Sequence, residues 1–358
     1  MKKFALLLFL VALLLNGCMD SKSTILEHKT VVDALGRNVV INKNPSRIVI
    51  AGKQAPMLTN FLYLFQSTNQ KLLAIEKRKQ SGDDFLNLID SKVGDKYILE
   101  KGAGAEQIAP LNPDLVILKS SMRESIGNQL ETLSIPVIYV DFENIEQIYR
   151  DLHLFAEVLD EEKRGDELTS SYKMLFNKIS EKINSNKGKT NSSVLILQAS
   201  SEDQKYAFSI PAANWLQTDL VKKAGGNPVW QEANQAGSWV QINIEQISAW
   251  EADQIFIVNY QGEANKIISN LKNDPVWSNL KSSQTENIYA FPYDYQSWDQ
   301  PDPRWILGYS WLAYSLNPGV FSADELESEI LTFYENFFLL EKNLIQANIS
   351  PRIRNILE

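Results

Sequence analysis

The chain has 358 residues, more than one hydrophobic core comfortably organises, and its composition is that of an ordinary globular protein, so two domains of about 150 residues are expected. A formal charge of −9 argues against nucleic acid or an anionic membrane surface as a partner. The single cysteine excludes a disulfide framework, so the fold must rest on its core.

The chain opens with Lys2 and Lys3, an apolar run from Phe4 to Leu15, and then Leu15-Asn16-Gly17-Cys18. That order is an export signal ending in a lipidation box. The run is shorter than the roughly 20 apolar residues of a transmembrane helix. Residues 1–17 are therefore read as a signal peptide, and removing them and their two lysines leaves 341 residues with a charge of −11. Cys18 becomes the acylated N-terminus, a palmitate-type anchor that holds the protein on the outer face of the cytoplasmic membrane or in the periplasm. Residues 18–28 form a polar tether without periodicity. Beyond the signal no apolar segment reaches membrane-spanning length and no GxxxxGK[ST] loop occurs, so the chain is neither a permease nor an ATPase.

Residues 29–159 read as the first lobe. Thr30 to Asp33 and Asn38 to Ile41 flank Gly36 as a small hairpin. Strand candidates Ile48 to Ala51, Leu72 to Ile75, Leu115 to Leu118 and Val137 to Val140 alternate with helical stretches such as Met57 to Phe65 and Ser125 to Leu133. That alternation predicts an α/β lobe with a parallel sheet covered on both faces. Over residues 160–185, Leu168, Tyr172, Leu175, Phe176, Ile179 and Ile183 share one helical face. About 24 helical residues span about 36 Å, enough to cross between lobes. Residues 186–358 read as the second lobe, with strands near Val194 to Leu197, Ile255 to Val258 and Ile288 to Phe291 and a last amphipathic helix over Ser322 to Leu340. All eight tryptophans lie between Trp215 and Trp311; most should be core.

Two stretches 139 positions apart repeat one pattern. Glu106-Gln107-Ile108 has Asp114 eight residues after its glutamate, and Glu245-Gln246-Ile247 has Asp253 at the same spacing, each leading into an apolar strand. Asn243 can cap the helix that holds Glu245, whereas Glu106 follows Gly104 and its helix is limited by Pro110. Both glutamates could simply stabilise positive helix starts, worth about 0.3–1 kcal/mol each.

Several phrases, in order, resemble the substrate-binding lipoproteins of ABC importers for iron siderophores, haem and cobalamin. They are Asp33-Ala34-Leu35-Gly36-Arg37, Asn44-Pro45-Ser46-Arg47-Ile48-Val49, Leu111-Asn112-Pro113-Asp114, Ala224-Gly225-Gly226-Asn227, Asp274-Pro275-Val276-Trp277 and Leu316-Asn317-Pro318. The tract Ser297-Trp298-Asp299-Gln300-Pro301-Asp302-Pro303-Arg304 also resembles a subset that includes molybdate and tungstate binders. The resemblance implies two Rossmann-like lobes with parallel sheets joined by a single long α-helix. It implies capture of an iron-siderophore or related metal chelate, or alternatively an oxyanion, and delivery to an ABC permease and its ATPase. Glu106 and Glu245 would then dock onto basic pockets of the permease, and the protein would act as a monomer.

In open parallel sheets ligands bind beyond the carboxyl ends of the strands. That rule selects Lys53 and Gln54, then Lys77, Arg78 and Lys79, then Lys119, Ser120 and Arg123 from the first lobe. From the second it selects Tyr206, Trp215, Trp239, Tyr260, Tyr295, Trp298 and Arg304. Basic and aromatic groups together suit an anionic chelate or oxyanion. The only histidines are His28, in the tether, and His153, on a helix, so a metal is expected to arrive already chelated, with no cofactor and no direct protein ligand. Asp294 and Asp299 could be imagined as hydrolytic carboxylates, but no GxSxG, HExxH or Cys/His pair accompanies them, so no enzyme is expected.

Overall fold

A computed structural model describes residues 27–76, 85–185, 191–202 and 205–357. Cys18 and the basic run Lys77-Arg78-Lys79 lie outside the described residues. Strand β1 (His28–Val32) pairs antiparallel with β2 (Asn38–Asn42). Gly36 turns the chain at φ 72°, and the Asp33 carboxylate accepts the backbone N–H groups of Leu35 at 3.0 Å and Arg37 at 3.1 Å. His28, assigned to the tether, instead opens β1 because its backbone finds a partner in Asn42.

The first sheet contains β3 (Ile48–Ile50), β4 (Leu72–Glu76), β5 (Tyr97–Leu99), β6 (Leu115–Lys119) and β7 (Val137–Val140), all parallel, in the order β5-β4-β3-β6-β7. Every residue of β3, β6 and β7 is buried, which is why they read as unbroken apolar runs. The edge strand β5 went unrecognised: it is three residues long, and Tyr97 and Ile98 face solvent.

Asn144 caps the helix Ile145–Leu159 by accepting the Gln147 N–H at 2.9 Å, and Asp160, at φ 57°, ends it. The long helix therefore starts at Glu162 rather than Asp160 and runs to Ser185. It packs against Ile145–Leu159 on the first-lobe side and against Trp305–Leu316 on the other. Leu168, Tyr172, Ile179 and Ile183 are buried along its apolar face. Polar contacts tie its start to both halves of the molecule: Arg164 donates to the Leu64 carbonyl at 3.0 Å and to that of Phe337 at 2.7 Å.

The second sheet holds β8 (Ser193–Glu202), β9 (Lys205–Ile210), β10 (Asn227–Pro228), β11 (Val240–Ile242), β12 (Gln254–Val258) and β13 (Ile288–Ala290). Here the expected all-parallel arrangement gives way to a mixed sheet. Strands β8, β10, β12 and β13 are parallel, but β9 returns antiparallel to β8, and β11 is antiparallel to β9. Only two residues separate β8 from β9, too few for the crossover that a parallel connection requires. Gln198 of β8 pairs with both Val258 of β12 and Ser209 of β9, so the ends of β9 and β12 lie at one level.

The aspartates of the sequence repeat do the same work in both sheets. Asp114 accepts the backbone N–H groups of Ser46 at 2.8 Å and Arg47 at 2.9 Å, fixing the chain as it enters β3. Asp253 accepts the N–H and hydroxyl of Ser193 at 2.8 and 2.9 Å, fixing the start of β8.

Candidate functional site

Loops beyond the strand ends of the two sheets meet around a cavity of about 280 Å³. From the first lobe come Lys53, Gln54, Met57 and Glu143. Gly52, at φ 82°, and Gln54, at φ 59°, turn the chain sharply between β3 and the helix Ala55–Leu62. The buried Glu76 holds that turn by accepting the Gly52 N–H at 2.6 Å. Glu143 follows β7 in a loop shaped by the buried Asp151, whose carboxylate accepts the N–H groups of Asp141 at 2.7 Å and Phe142 at 2.9 Å. Burial raises the Asp151 pKa, opposed by its bond to Arg150 and by these backbone donors.

The second lobe supplies an aromatic wall. Trp215 and Trp239 meet edge to face with centroids 5.7 Å apart, and Trp239 and Tyr260 do so at 6.4 Å. Trp215 follows β9 and Tyr260 follows β12, strands of opposite direction whose ends share one level. Gln217 and Gln300 complete the polar part of this side, with Leu216 and Pro301 beside them.

Behind the wall Asp299 is fully buried. It accepts from Ser297 Oγ at 2.5 Å, Gln217 Nε2 at 3.1 Å and the Tyr260 hydroxyl at 3.2 Å. Burial raises its pKa despite those three donors, and burial together with the Asp299 carboxylate raises that of Tyr260. Across the cavity Lys119 Nζ lies 2.8 Å from Glu143 Oε1, and burial lowers the lysine pKa against the pull of that carboxylate.

The profile of the periplasmic binding protein family matches residues 99–295, more than half of the chain. The chain belongs to the periplasmic binding protein family. Its relatives include a probable siderophore-binding lipoprotein, YfiY, of Bacillus subtilis, 24% identical over a 311-residue alignment that covers 81% of this chain and 90% of that protein. The Fe(3+)-citrate-binding protein YfmC of the same organism is 21% identical over a 294-residue alignment that covers 79% of this chain and 86% of the relative. A periplasmic solute binding protein from Veillonella parvula shares the fold with a TM-score of 0.73 at 22% identity, covering 92% of this chain and 99% of that one. Molybdate-bound MolA of Haemophilus influenzae shares it with a TM-score of 0.72 at 17% identity, covering 87% and 98%. The family is one of solute-binding proteins, and the two-lobed α/β fold of this member agrees with the neighbours.

For this periplasmic binding protein the structure brings Lys53, Gln54, Trp215, Trp239 and Tyr260 together around the cavity. Lys119 stands behind Glu143, and Ser120 donates to the Asp141 carboxylate instead of facing the cavity. Arg123 is exposed on a helical turn after β6, away from the lining. Four other selected residues need correction. Tyr206 accepts from the Asn270 side chain at 2.5 Å, outside the lining. Tyr295 is buried under the Arg352 guanidinium, 4.1 Å from its ring centroid. Trp298 is entirely enclosed, and Gly308 permits its close packing, because a Cβ there would strike the Trp298 carbonyl oxygen. Arg304 is also entirely enclosed, 2.9 Å from Asp302 and 3.3 Å from Asp294, with its guanidinium over the Phe85 ring. Burial opposes its charge, but Tyr334, Asp302 and Asp294 outweigh that opposition and keep it protonated.

Sequence reasoning missed Glu143, Gln217 and Gln300. The strand-end rule reaches Glu143 once it is extended to β7, the last strand of the first sheet. Gln217 carries no comparable signal, since amides are common on helix starts, and Gln300 stands in the 297–304 tract, from which the aromatic and basic residues were selected instead. Among the described residues no group of three or more His, Cys, Asp or Glu side chains is arranged to hold a metal ion, and no helix is long and apolar enough to cross a membrane. Glu106 and Glu245 are both exposed and form no ion pair among the described residues. Asn243 caps the Glu245 helix by accepting the Gln246 N–H at 2.9 Å, and the Glu106 helix gives way at Ala109-Pro110 to a 3₁₀ turn.

Proposed function

We propose that this protein captures a metal chelate of the iron-siderophore kind between its lobes, outside the cytoplasm, and delivers it to an ABC permease driven by its ATPase. The observation that carries this reading is the cavity itself. Lys53, Gln54, Met57 and Glu143 from one lobe face Trp215, Trp239 and Tyr260 from the other, so a ligand there would touch both lobes at once. The family membership and the names of the two Bacillus subtilis relatives support the ligand class. Three aromatic rings suit an organic scaffold.

In this reading Cys18 carries the lipid anchor, and Glu106 and Glu245, exposed on helix starts of the two lobes, are the contacts offered to the permease. The test is a fluorescence titration of the mature chain with ferric siderophores, ferric citrate, haem, cobalamin, molybdate and tungstate. Saturable quenching by a chelate, reduced in a Trp215→Phe/Trp239→Phe variant, is the expected result. A protein that responds to none of them is not a chelate receptor.

A further inference from the structure

A buried carboxylate ties the two ends of the aromatic wall together from behind. Gln217 lies on the first turn of the helix Leu216–Lys223, beside Trp215, and its Nε2 donates to Asp299 Oδ2 at 3.1 Å. From the other end of the wall the Tyr260 hydroxyl donates to the same oxygen at 3.2 Å. Trp239 packs between them, its ring centroid 5.7 Å from that of Trp215 and 6.4 Å from that of Tyr260. One atom therefore fixes two chain segments that reach the cleft from different strands.

Asp299 is itself held in place. Its other oxygen accepts from Ser297 Oγ at 2.5 Å, and its segment leads directly into the joint of Asp302 and Arg304. Burying a carboxylate is costly, and an apolar side chain of similar volume would fill the same space without that cost. Two of the three side chains that donate to Asp299 line the cleft, so its bonds serve the wall more than the core.

The arrangement also sets the polarity of the wall. With Nε2 committed to Asp299, the Gln217 amide is left with Oε1, which finds no hydrogen-bond partner among the described residues and is not sealed from solvent. Gln296 donates to Gln300 Oε1, which leaves the Gln300 nitrogen for the Tyr260 oxygen. At this corner Gln217 Oε1 is thus an acceptor beside aromatic rings, suited to an N–H or O–H donor.

We infer that Asp299 is a positioning residue for ligand capture: it locks Gln217 and Tyr260 into the shape the wall needs before the ligand arrives, and turns Gln217 Oε1 to accept an N–H or O–H group on the ligand's organic periphery. The inference rests on the chelate-capture reading and deepens it.

The probes are ferrichrome and ferrioxamine B, ferric hydroxamates whose peripheries carry amide N–H groups, titrated into the mature chain and its variants. Thermal unfolding of each unliganded variant is recorded alongside. Asp299→Ala should weaken binding of the tighter probe at least about tenfold. Asp299→Asn should restore it to within about threefold of wild type, because its Oδ1 still accepts from Gln217 and Tyr260 while its Nδ2 meets the Ser297 hydroxyl. In a Gln217→Leu/Tyr260→Phe background, Asp299→Ala should add less than about a twofold loss, since the carboxylate acts through those two side chains. A carboxylate with only a structural role would cause the same loss in both backgrounds. That result, or wild-type affinity in Asp299→Ala, overturns the inference and leaves the chelate-capture reading standing. If Asp299→Ala does not fold, Gln217→Met decides: it cuts one tie and removes the acceptor, so affinity should fall at least about fivefold, and unchanged affinity overturns the inference. Binding of neither probe overturns the inference, and binding of no chelate in the wider panel overturns the capture reading as well.

Discussion

Asn60, on the first-lobe helix Ala55–Leu62, donates its side-chain amide to the carboxylate of Asp302, and so links the two lobes at a point with no solvent access. Asp302 also holds Arg304, whose Nε bonds the Tyr334 hydroxyl at 2.9 Å, and the Tyr172 hydroxyl of the long helix donates to the Pro303 carbonyl at 2.8 Å. The 294–304 tract is thus a buried joint, and Gln300 and Pro301 reach the cleft from it.

Arg304 should accordingly matter for folding rather than for contact with the ligand. Arg304→Met leaves Asp294 and Asp302 buried without their cation and should cost about 3–5 kcal/mol. Urea denaturation measures this. A variant that folds with wild-type stability yet binds ligand poorly would return Arg304 to the cleft.

Asp114→Ala and Asp253→Ala remove equivalent clamps from the two lobes. Each removes charge-assisted hydrogen bonds to backbone donors at the entry to a central strand, exposed at Ser46 and Arg47 and part-buried at Ser193, and should cost about 1–3 kcal/mol in chemical unfolding. Lys281, 2.6 Å from Asp253, is the main cause of that carboxyl's lowered pKa, followed by burial acting against it and the Ser193 donors. Stability from Asp253 is therefore present above the ordinary carboxyl pKa and lost as pH falls through the lowered one. Wild type and Asp253→Ala should converge in strongly acidic solution.

Asp299 has the opposite sign. Burial raises its pKa, so the folded chain holds the proton more tightly than the unfolded one. Its favourable contribution is complete below the ordinary carboxyl pKa and is lost as pH rises through the raised value. Asp299→Asn keeps the shape and removes the charge. Its melting temperature relative to wild type should rise as pH increases from mildly acidic to alkaline, and a constant difference would show that Asp299 does not titrate in that window.

The paired glutamates offer a test of delivery separate from capture. Glu106→Ala with Glu245→Ala should abolish most chelate uptake by cells while ligand affinity of the purified protein stays within about twofold. Both residues are exposed on helix starts, so the stability lost should be no more than about 1 kcal/mol for each. Intact uptake would assign them to helix stabilisation alone.

Most of the first lobe was legible because its strands are buried on both faces, and such strands announce themselves as apolar runs, as in Leu115 to Leu118. Gly36, Asn243 and Pro110 were legible for local reasons: a turn, a cap and a break depend on residues close in sequence. The strand-end rule found Lys53, Gln54 and Tyr260 because each follows a parallel strand, whose direction already says which end faces the ligand, whereas Trp215 after the antiparallel β9 and Trp239 before β11 reach the cavity because the end of β9 lies level with that of β12.

The sequence by itself determined the repeated helix-strand units, the periodicity of the long helix and the chain segments that could approach a cleft, since each follows from neighbouring residues and backbone geometry. Only the tertiary structure decided which charges remain available there. Arg304 and Lys119 look like ligand-seeking cations in one dimension; Asp294, Asp302 and Glu143 neutralise them in three. Arg304 and Asp302 are near in sequence, but nothing local dictates that both are buried, or that Asn60 and Phe85 arrive from the other lobe to seal them. Burial and ion pairing arise from contacts between distant segments, and they remove Arg304 and Lys119 from the cations that the described residues can offer a ligand.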